Sequence, residues 1–184
     1  MPDEEQDKEH IYPLETEMPI GLGLSVKAFG QLSAMTSLMA PESEQLPVEV
    51  ALVFENHGAD SVVFEVDTNS AILVSSDGKD YRAEGFSVLL PDLTQHVQGG
   101  SGPVPFWLPA GKKAVVEMTF VPLRANAKLL LRSCVRGPVT GMRAVPPSAT
   151  WRALPPIEVL IDHLPRYSTL FQRYTVGAAL FDNP

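Results

Sequence analysis

The side chains with acid–base or metal-binding chemistry are few in this chain and far apart. Its four histidines are His10, His57, His96 and His163. None has another His or a Cys at the close spacing of a zinc site. In a Gly-containing turn, His57 and Asp60 would offer at most a loose metal site, and solvated surface residues are the simpler interpretation. The sequence therefore predicts no metal site and no cofactor.

Nucleophilic catalysis has no local signature either. The G-x-S-x-G turn of α/β-hydrolases does not occur. The glycines of residues 98–103 lack the Lys-Ser/Thr pair and the following helix of a phosphate-binding loop. Cys134 is the single cysteine, which excludes an internal disulfide and favours a buried thiol. A triad built from distant segments stays open, but we predict no catalytic residue and no enzymatic activity.

Aromatic residues offer two candidate binding sites. Phe106 and Trp107, with the loop 91–103, would form a groove for a carbohydrate or another small ligand, although a core tryptophan is the simpler interpretation. The second group mixes aromatic, aliphatic and basic residues near the C-terminus: Arg166, Tyr167, Leu170, Phe171, Arg173 and Tyr174. Such residues dominate protein interfaces. We expect them to anchor an arm on an apolar surface of this chain or of a partner, with the arginines facing an acidic rim.

The charge distribution limits the class of partner. Residues 1–122 hold 6 Lys/Arg and 19 Asp/Glu, and residues 123–184 hold 8 and 3, which gives −13 and +5 within a total of −8. Nucleic-acid binding needs concentrated basic side chains, so it is not expected. The basic third complements the acidic body of its own fold or an acidic external partner. A protein partner or a homo-oligomer is the expected assembly.

The termini and apolar runs bear on localisation. Residues 2–10 are acidic, whereas an export signal begins basic and continues apolar. No apolar run approaches the about 20 residues that span a bilayer. The sequence predicts no transmembrane segment and, as it stands, a cytoplasmic protein. A mature chain that had lost a leader would be extracytoplasmic, so the localisation stays unknown.

The elements that position these residues are predicted to be β-strands. In residues 48–55 apolar and polar side chains alternate with a period of two, and residues 62–66 and 114–121 repeat the pattern. Shorter strands are predicted at 20–26, 71–74, 86–90 and 157–161, and a short helix within 167–180. Turn residues separate the strands, as in an antiparallel β-sandwich. The predicted core residues are Val50, Leu52, Phe54, Phe64, Val116, Met118 and Phe120.

Composition divides the chain into three parts. Residues 1–17 are strongly acidic and are expected to form a disordered tail. Residues 18–137 carry the sandwich. Residues 138–184 form a Pro-rich, aromatic-anchored extension, because six prolines lie between positions 138 and 165.

The strand and turn motifs resemble a known family. They are a valine-rich strand ending in Asn (50–56), an Asp-Gly hairpin with Tyr (77–81), a Pro-Ala-Gly turn (109–111) and a strand ending in Phe-Val-Pro (116–122). Residues 47–122 are thereby similar to the immunoglobulin-like domain of unknown function in bacterial secreted proteins and lipoproteins. Two departures from that family are expected to matter. The family's usual lipobox cysteine and leader do not occur in the sequence as it stands, and the last sixty residues of this chain have no counterpart in the family.

The resemblance implies an immunoglobulin-like antiparallel β-sandwich without catalytic residues. The sequence thus predicts a non-catalytic interaction or accessory protein that joins a larger assembly or oligomer through its C-terminal arm. The alternative is a small-ligand or carbohydrate-binding module that uses Phe106, Trp107 and the 91–103 loop.

Overall fold

A computed structural model describes ten stretches of the chain, residues 11–32, 45–75, 78–89, 95–98, 103–124, 129–138, 151–154, 157–161, 164–166 and 168–175. These residues form β-strands and one short helix, α1, Thr169–Thr175. The strands are β1 Tyr12–Pro13, β2 Met18–Gly21, β3 Leu24–Leu32, β4 Gln45–Asn56, β5 Val62–Ser75, β6 Asp80–Leu89, β7 Gln95–Gln98, β8 Pro103–Leu108, β9 Lys113–Arg124, β10 Leu129–Pro138, β11 Trp151–Ala153 and β12 Ile157–Ile161.

The strands form two layers that share β6. The first sheet has the order β1-β12-β10-β5, with β8 paired to β5 and β11 to β10. The second has the order β2-β3-β4-β9-β6-β7. Residues 80–82 of β6 pair with β5, whereas residues 83–89 pair with β9, so this strand passes from one sheet to the other. All pairings are antiparallel except that of β1 with β12.

The inner faces of the two sheets form one hydrophobic core. All seven residues that the period-two pattern assigned to the core have 0% exposure. The rings of Phe54, in the second sheet, and Phe64, in the first, have centroids 5.1 Å apart. The predicted all-β, antiparallel sandwich is therefore confirmed.

Strand β5 corrects one detail of the sequence prediction. Separate strands were expected at 62–66 and 71–74, but both belong to β5. The pairing with β10 shifts between Arg132 and Cys134, which face Ile72 and Asp67 in the register. Even-numbered Val66 and odd-numbered Leu73 are both fully buried, so β5 changes the face that it presents to the core across this irregularity.

The N-terminal segment is also more ordered than expected. Tyr12 and Pro13 pair in parallel with Val159 and Leu160, and the Glu15 N–H donates to the Ala28 carbonyl over 2.8 Å. A disordered tail that extends to residue 17 is therefore wrong for residues 11–17, and residues 1–10 lie outside the described residues.

The first predicted strand, 20–26, is in fact a hairpin. Strands β2 and β3 are joined by a tight turn in which Gly21, Leu22 and Gly23 all have positive φ. Two of the three are glycines, which adopt this conformation without a Cβ clash. Leu22 is 39% exposed because it lies at this turn and not on a strand face.

Part of the predicted extension completes the sandwich. Strand β12 pairs with β10 and β1, which confirms a strand at 157–161. Ile157, Val159 and Ile161 are at most 1% exposed and belong to the main core. A domain boundary at residue 137 is therefore wrong, because β11 and β12 belong to the first sheet. In the described part of the chain, no helix has the length and apolarity to cross a membrane.

Candidate functional site

The C-terminal arm, defined here as residues 164–175, is held on the second sheet by backbone and side-chain contacts. The Leu32 N–H donates to the Pro165 carbonyl over 2.8 Å. The Ser168 N–H donates to Gln31 Oε1 over 3.1 Å. Ser168 Oγ accepts from the Phe171 N–H over 3.2 Å, which caps the start of α1. The arm is therefore fixed to the end of β3.

Phe171 anchors the arm on the outer face of the second sheet. Its side chain is 1% exposed. It joins a second hydrophobic cluster, separate from the main core, with Phe29, Ala51, Val53 and Val115. These neighbours lie on the face of β3, β4 and β9 that points away from the main core. The arm thus covers an apolar patch on its own chain.

The remaining residues of the predicted anchor group differ in position. Leu170, next to Phe171, is 39% exposed, and Arg166 is also exposed. Arg173 and Tyr174 lie in α1, although the structure does not describe their side chains, and Tyr167 lies outside the described residues. The arm therefore places Phe171 against the outer face of the sheet and Leu164 against the main core, and presents Leu170 and Arg166 to solvent.

The predicted ligand groove is only partly described. Trp107 lies in β8, opposite Val63 in the register, and is 50% exposed. Phe106 lies beside it and is paired with Phe64, but the structure does not describe its side chain. In the 91–103 loop, residues 95–98 form β7, and the segments 91–94 and 99–102 lie outside the described residues. Trp107 is therefore not a core residue.

Asn56 organises the turns at one end of the sandwich. It is 1% exposed, and its side-chain amide donates to the carbonyls of Asp60 and Leu108, over 2.8 and 3.0 Å. Its Oδ1 accepts from the Gly58 N–H over 2.9 Å. Its backbone bonds to the loop at Gly111. The Asn-His-Gly turn at residues 56–58 is therefore held by the side chain and the backbone of Asn56.

This turn positions a polar cluster that the sequence did not reveal. His57 Nε2 lies 2.9 Å from Glu17 Oε1 and 2.7 Å from Ser25 Oγ. The Ser25 hydroxyl donates to Glu17 Oε1 over 2.7 Å. Glu55, directly opposite Ser25 in the register, has Oε1 4.0 Å from His57 Nδ1. Glu17 and His57 are 40 residues apart, so their spacing in the sequence gave no signal. Asp60 does not join the cluster through its carboxylate; its backbone carbonyl accepts the hydrogen bond from Asn56.

The electrostatics of this cluster favour the charged form of Glu17. Hydrogen bonds from Ser25 and His57 hold the pKa of Glu17 below its usual value, and the charges of His57 and Lys27 add to this effect. Lys113 Nζ lies 3.7 Å from Glu55 Oε2. Both side chains of the Glu17–His57 pair are 49% exposed, so water screens their interaction.

The cluster lacks the geometry of a hydrolase triad. In a Ser-His-Asp triad one ring nitrogen faces the nucleophile and the other faces the carboxylate. Here Ser25 Oγ and Glu17 Oε1 both lie against Nε2 of His57, and the hydroxyl also donates directly to that carboxylate. The carboxylate that faces Nδ1, that of Glu55, is 4.0 Å away, which is too far for a hydrogen bond. The arrangement holds three polar groups together but does not route a proton through the ring.

Comparisons with known proteins identify no family for this chain. No protein-family model matches this chain, and the search of curated proteins found no match. Among solved structures, the YcdA protein of Bacillus subtilis is 14% identical with a TM-score of 0.40; the match covers 80% of this chain but only 38% of that one. The seventh PapD-like domain of human CEP192 is 14% identical with a TM-score of 0.37, and 85% of this chain and 94% of that one are covered.

An adhesin gives a similar result. A mutant form of the CFA/I adhesin CfaE of enterotoxigenic Escherichia coli is 11% identical with a TM-score of 0.34, over 88% of this chain and 48% of that one. At these identities and TM-scores the matches assign neither a family nor a function to this chain.

Proposed function

We propose that this protein is a non-catalytic interaction module that binds a protein partner through the outward side of its C-terminal arm. The observation that carries the proposal is the contrast between two neighbours on α1. Phe171 is 1% exposed on its own sheet, whereas Leu170 is 39% exposed. A short helix that is clamped in this way presents its outer side chains with little further ordering cost, which favours binding.

The chemistry of the partner follows from the exposed residues. Leu170 offers an apolar anchor, and the exposed Arg166 offers a planar donor group for carboxylates. Residues 123–184 have a net charge of +5, against −13 for the rest of the chain. The matching surface is therefore an apolar groove with an acidic rim on another protein.

Site-specific photo-crosslinking in the producing cells tests the proposal. A benzophenone amino acid at position 170 should give one discrete adduct, whereas the same group at Arg82, which is exposed on β6, should give none. Mass spectrometry identifies the captured chain and its crosslinked residues. The adduct should weaken several-fold when Arg166 is changed to Glu and should keep its yield in Arg82→Glu.

The outcomes separate the possible occupants. A captured protein with acidic residues around the crosslink, lost in Arg166→Glu, supports the proposal. An adduct of twice the chain mass would make a second copy the occupant and would overturn the assignment of a separate partner. Equal labelling at positions 170 and 82, or no effect of Arg166→Glu, would contradict the docking surface itself.

Trp107 favours a second candidate function. A tryptophan that is 50% exposed on a strand at the margin of the sheet has the form of a stacking platform for sugar rings or other flat ligands. This function can be tested by titrating the protein with a panel of soluble glycans and following its tryptophan fluorescence. A saturable change that disappears in Trp107→Ala and persists in Leu170→Ala would support a ligand site. No change with any glycan would count against it.

A further inference from the structure

The polar cluster at the Asn-His-Gly turn has the composition of a transition-metal site. Glu17, Glu55 and His57 each offer one ligand atom, and these three atoms lie within 4.8 Å of one another. We propose that these three residues bind a divalent transition-metal ion of the zinc type, with the remaining coordination positions open to water. This site is distinct from the docking surface on the C-terminal arm.

The distances are close to those that coordination requires. Zinc bonds to nitrogen and oxygen are about 2.0–2.2 Å long, which places tetrahedral ligand atoms about 3.3–3.6 Å apart. His57 Nε2 and Glu17 Oε1 are 2.9 Å apart, and His57 Nδ1 and Glu55 Oε1 are 4.0 Å apart. The side chains of Glu17 and His57 are 49% exposed and that of Glu55 is 34% exposed. A metal ion takes only one nitrogen of an imidazole ring, so one of the two carboxylates must turn toward the ring nitrogen that the other faces. One ligand atom from each of the three residues already lies within 4.8 Å of the others, and the exposed side chains have room for this movement.

The backbone around the cluster is already fixed. The His57 N–H donates to the Gly23 carbonyl over 2.9 Å, and the buried Asn56 holds the rest of the turn. Glu55 is set by the pairing of β4 with β3, where it faces Ser25. Metal binding therefore orders side chains alone, without building a new loop.

Ser25 supplies the supporting contact that metal sites commonly have. Its side chain lies in β3, the residue is 6% exposed, and its hydroxyl donates to Glu17 Oε1 over 2.7 Å. Hydrogen bonds of this kind orient a ligating carboxylate and are worth about 10–100-fold in metal affinity. The hydroxyl also prevents Glu17 from turning freely into solvent.

The ligand types select the class of ion. One imidazole with two carboxylates suits zinc and related first-row ions, whereas Ca²⁺ and Mg²⁺ prefer shells built from oxygen. Two lysines lie near these carboxylates: Lys113 Nζ is 3.7 Å from Glu55 Oε2, and the charge of Lys27 acts on Glu17. Because the ligands bind metal in their deprotonated forms, affinity should fall as the pH is lowered.

Calorimetric titration of the full chain with zinc chloride, after removal of metal by a chelator, tests the proposal. The native chain should bind one ion. The variants His57→Gln, Glu17→Gln and Glu55→Gln should each bind at least about tenfold more weakly, and Ser25→Ala about tenfold more weakly. Asp60→Asn, an exposed acid in the same turn, is the matched control and should bind as the native chain does.

A second measurement guards against binding elsewhere and against misfolding. The visible spectrum of added Co²⁺ should report bound metal in the native chain and in Asp60→Asn, and the bands should be lost in His57→Gln. Circular dichroism should be unchanged in every variant. No zinc binding by the native chain up to millimolar concentration, or undiminished binding by folded His57→Gln, would overturn the proposal.

Discussion

The side-chain oxygen of Gln31 accepts a hydrogen bond from the backbone N–H of Ser168, a residue 137 positions further along the chain. The Gln31 side chain is also fixed on its other side, because its Nε2 donates to Glu49 Oε2 over 2.7 Å. This relationship ties the last described segment of the chain to the third strand. It makes the C-terminal arm part of the folded domain, in which Leu164 packs against the main core and Phe171 against the outer cluster.

Replacing Phe171 with Ala should detach the arm. The side chain is almost fully buried in a small cluster, and large aromatic-to-alanine changes cost about 3–5 kcal/mol at buried sites. Because α1 lies at the surface, we expect the loss as local opening more than as global unfolding. Amide hydrogen exchange of residues 169–175 should rise strongly in Phe171→Ala. Leu170→Ala is the matched control and should stay within about 0.5 kcal/mol of the native chain.

Gly30→Ala should disturb a second contact of the arm, that of Leu164 with the core-facing side of β3. A Cβ on Gly30 would lie 2.7 Å from Leu164 Cδ2, so the leucine must move. Overpacking of this kind costs about 1–3 kcal/mol. The loss of unfolding free energy that Gly30→Ala causes should be smaller when Leu164 is already Ala. Urea denaturation of the two single variants and of the double variant measures this difference. A Cβ on Gly85 would have no atom within 4 Å, so Gly85→Ala should not destabilise the protein. An equal loss of stability at both glycines would contradict the contact between Gly30 and Leu164.

Phe54→Ala should be the most damaging of these changes. The ring has 0% exposure and packs against Phe64 between the two sheets. We expect a loss of about 3–5 kcal/mol in the free energy of unfolding, measured by urea denaturation. A loss below about 1 kcal/mol would show that this face of β4 does not form the core.

Period-two alternation was enough to predict this core, because a strand with one buried face must repeat every second residue. It did not predict that the opposite face of β4 is also buried at Ala51 and Val53. That burial depends on Phe171, more than a hundred residues away, and no local pattern encodes such a contact. The polar cluster of Glu17 and His57 was missed for the same reason, since the strand register brings it together.

Glu117 should make stability depend on pH. Burial, and then the nearby charge of Glu49, raises the pKa of Glu117 above its ordinary value. The folded state therefore binds more protons than the unfolded state between the ordinary and the raised pKa, so stability should fall as the pH rises through this window.

Removing the charge tests this dependence. Thermal unfolding should show Glu117→Gln to be more stable than the native chain above the window, with the difference disappearing below it. The exposed Glu84→Gln should show no such trend. A difference that grows toward low pH would refute the assignment.

Hydroxyl-radical footprinting of the native chain tests the docking of the arm without any mutation. The arm docks through Phe171 and leaves Leu170 exposed. Phe171 should therefore be oxidised far more slowly than its intrinsic reactivity allows, while Leu170 reacts as an exposed leucine. Oxidation of Phe171 at the rate of a free phenylalanine would contradict the docked arm, and with it the surface through which this protein is proposed to bind its partner.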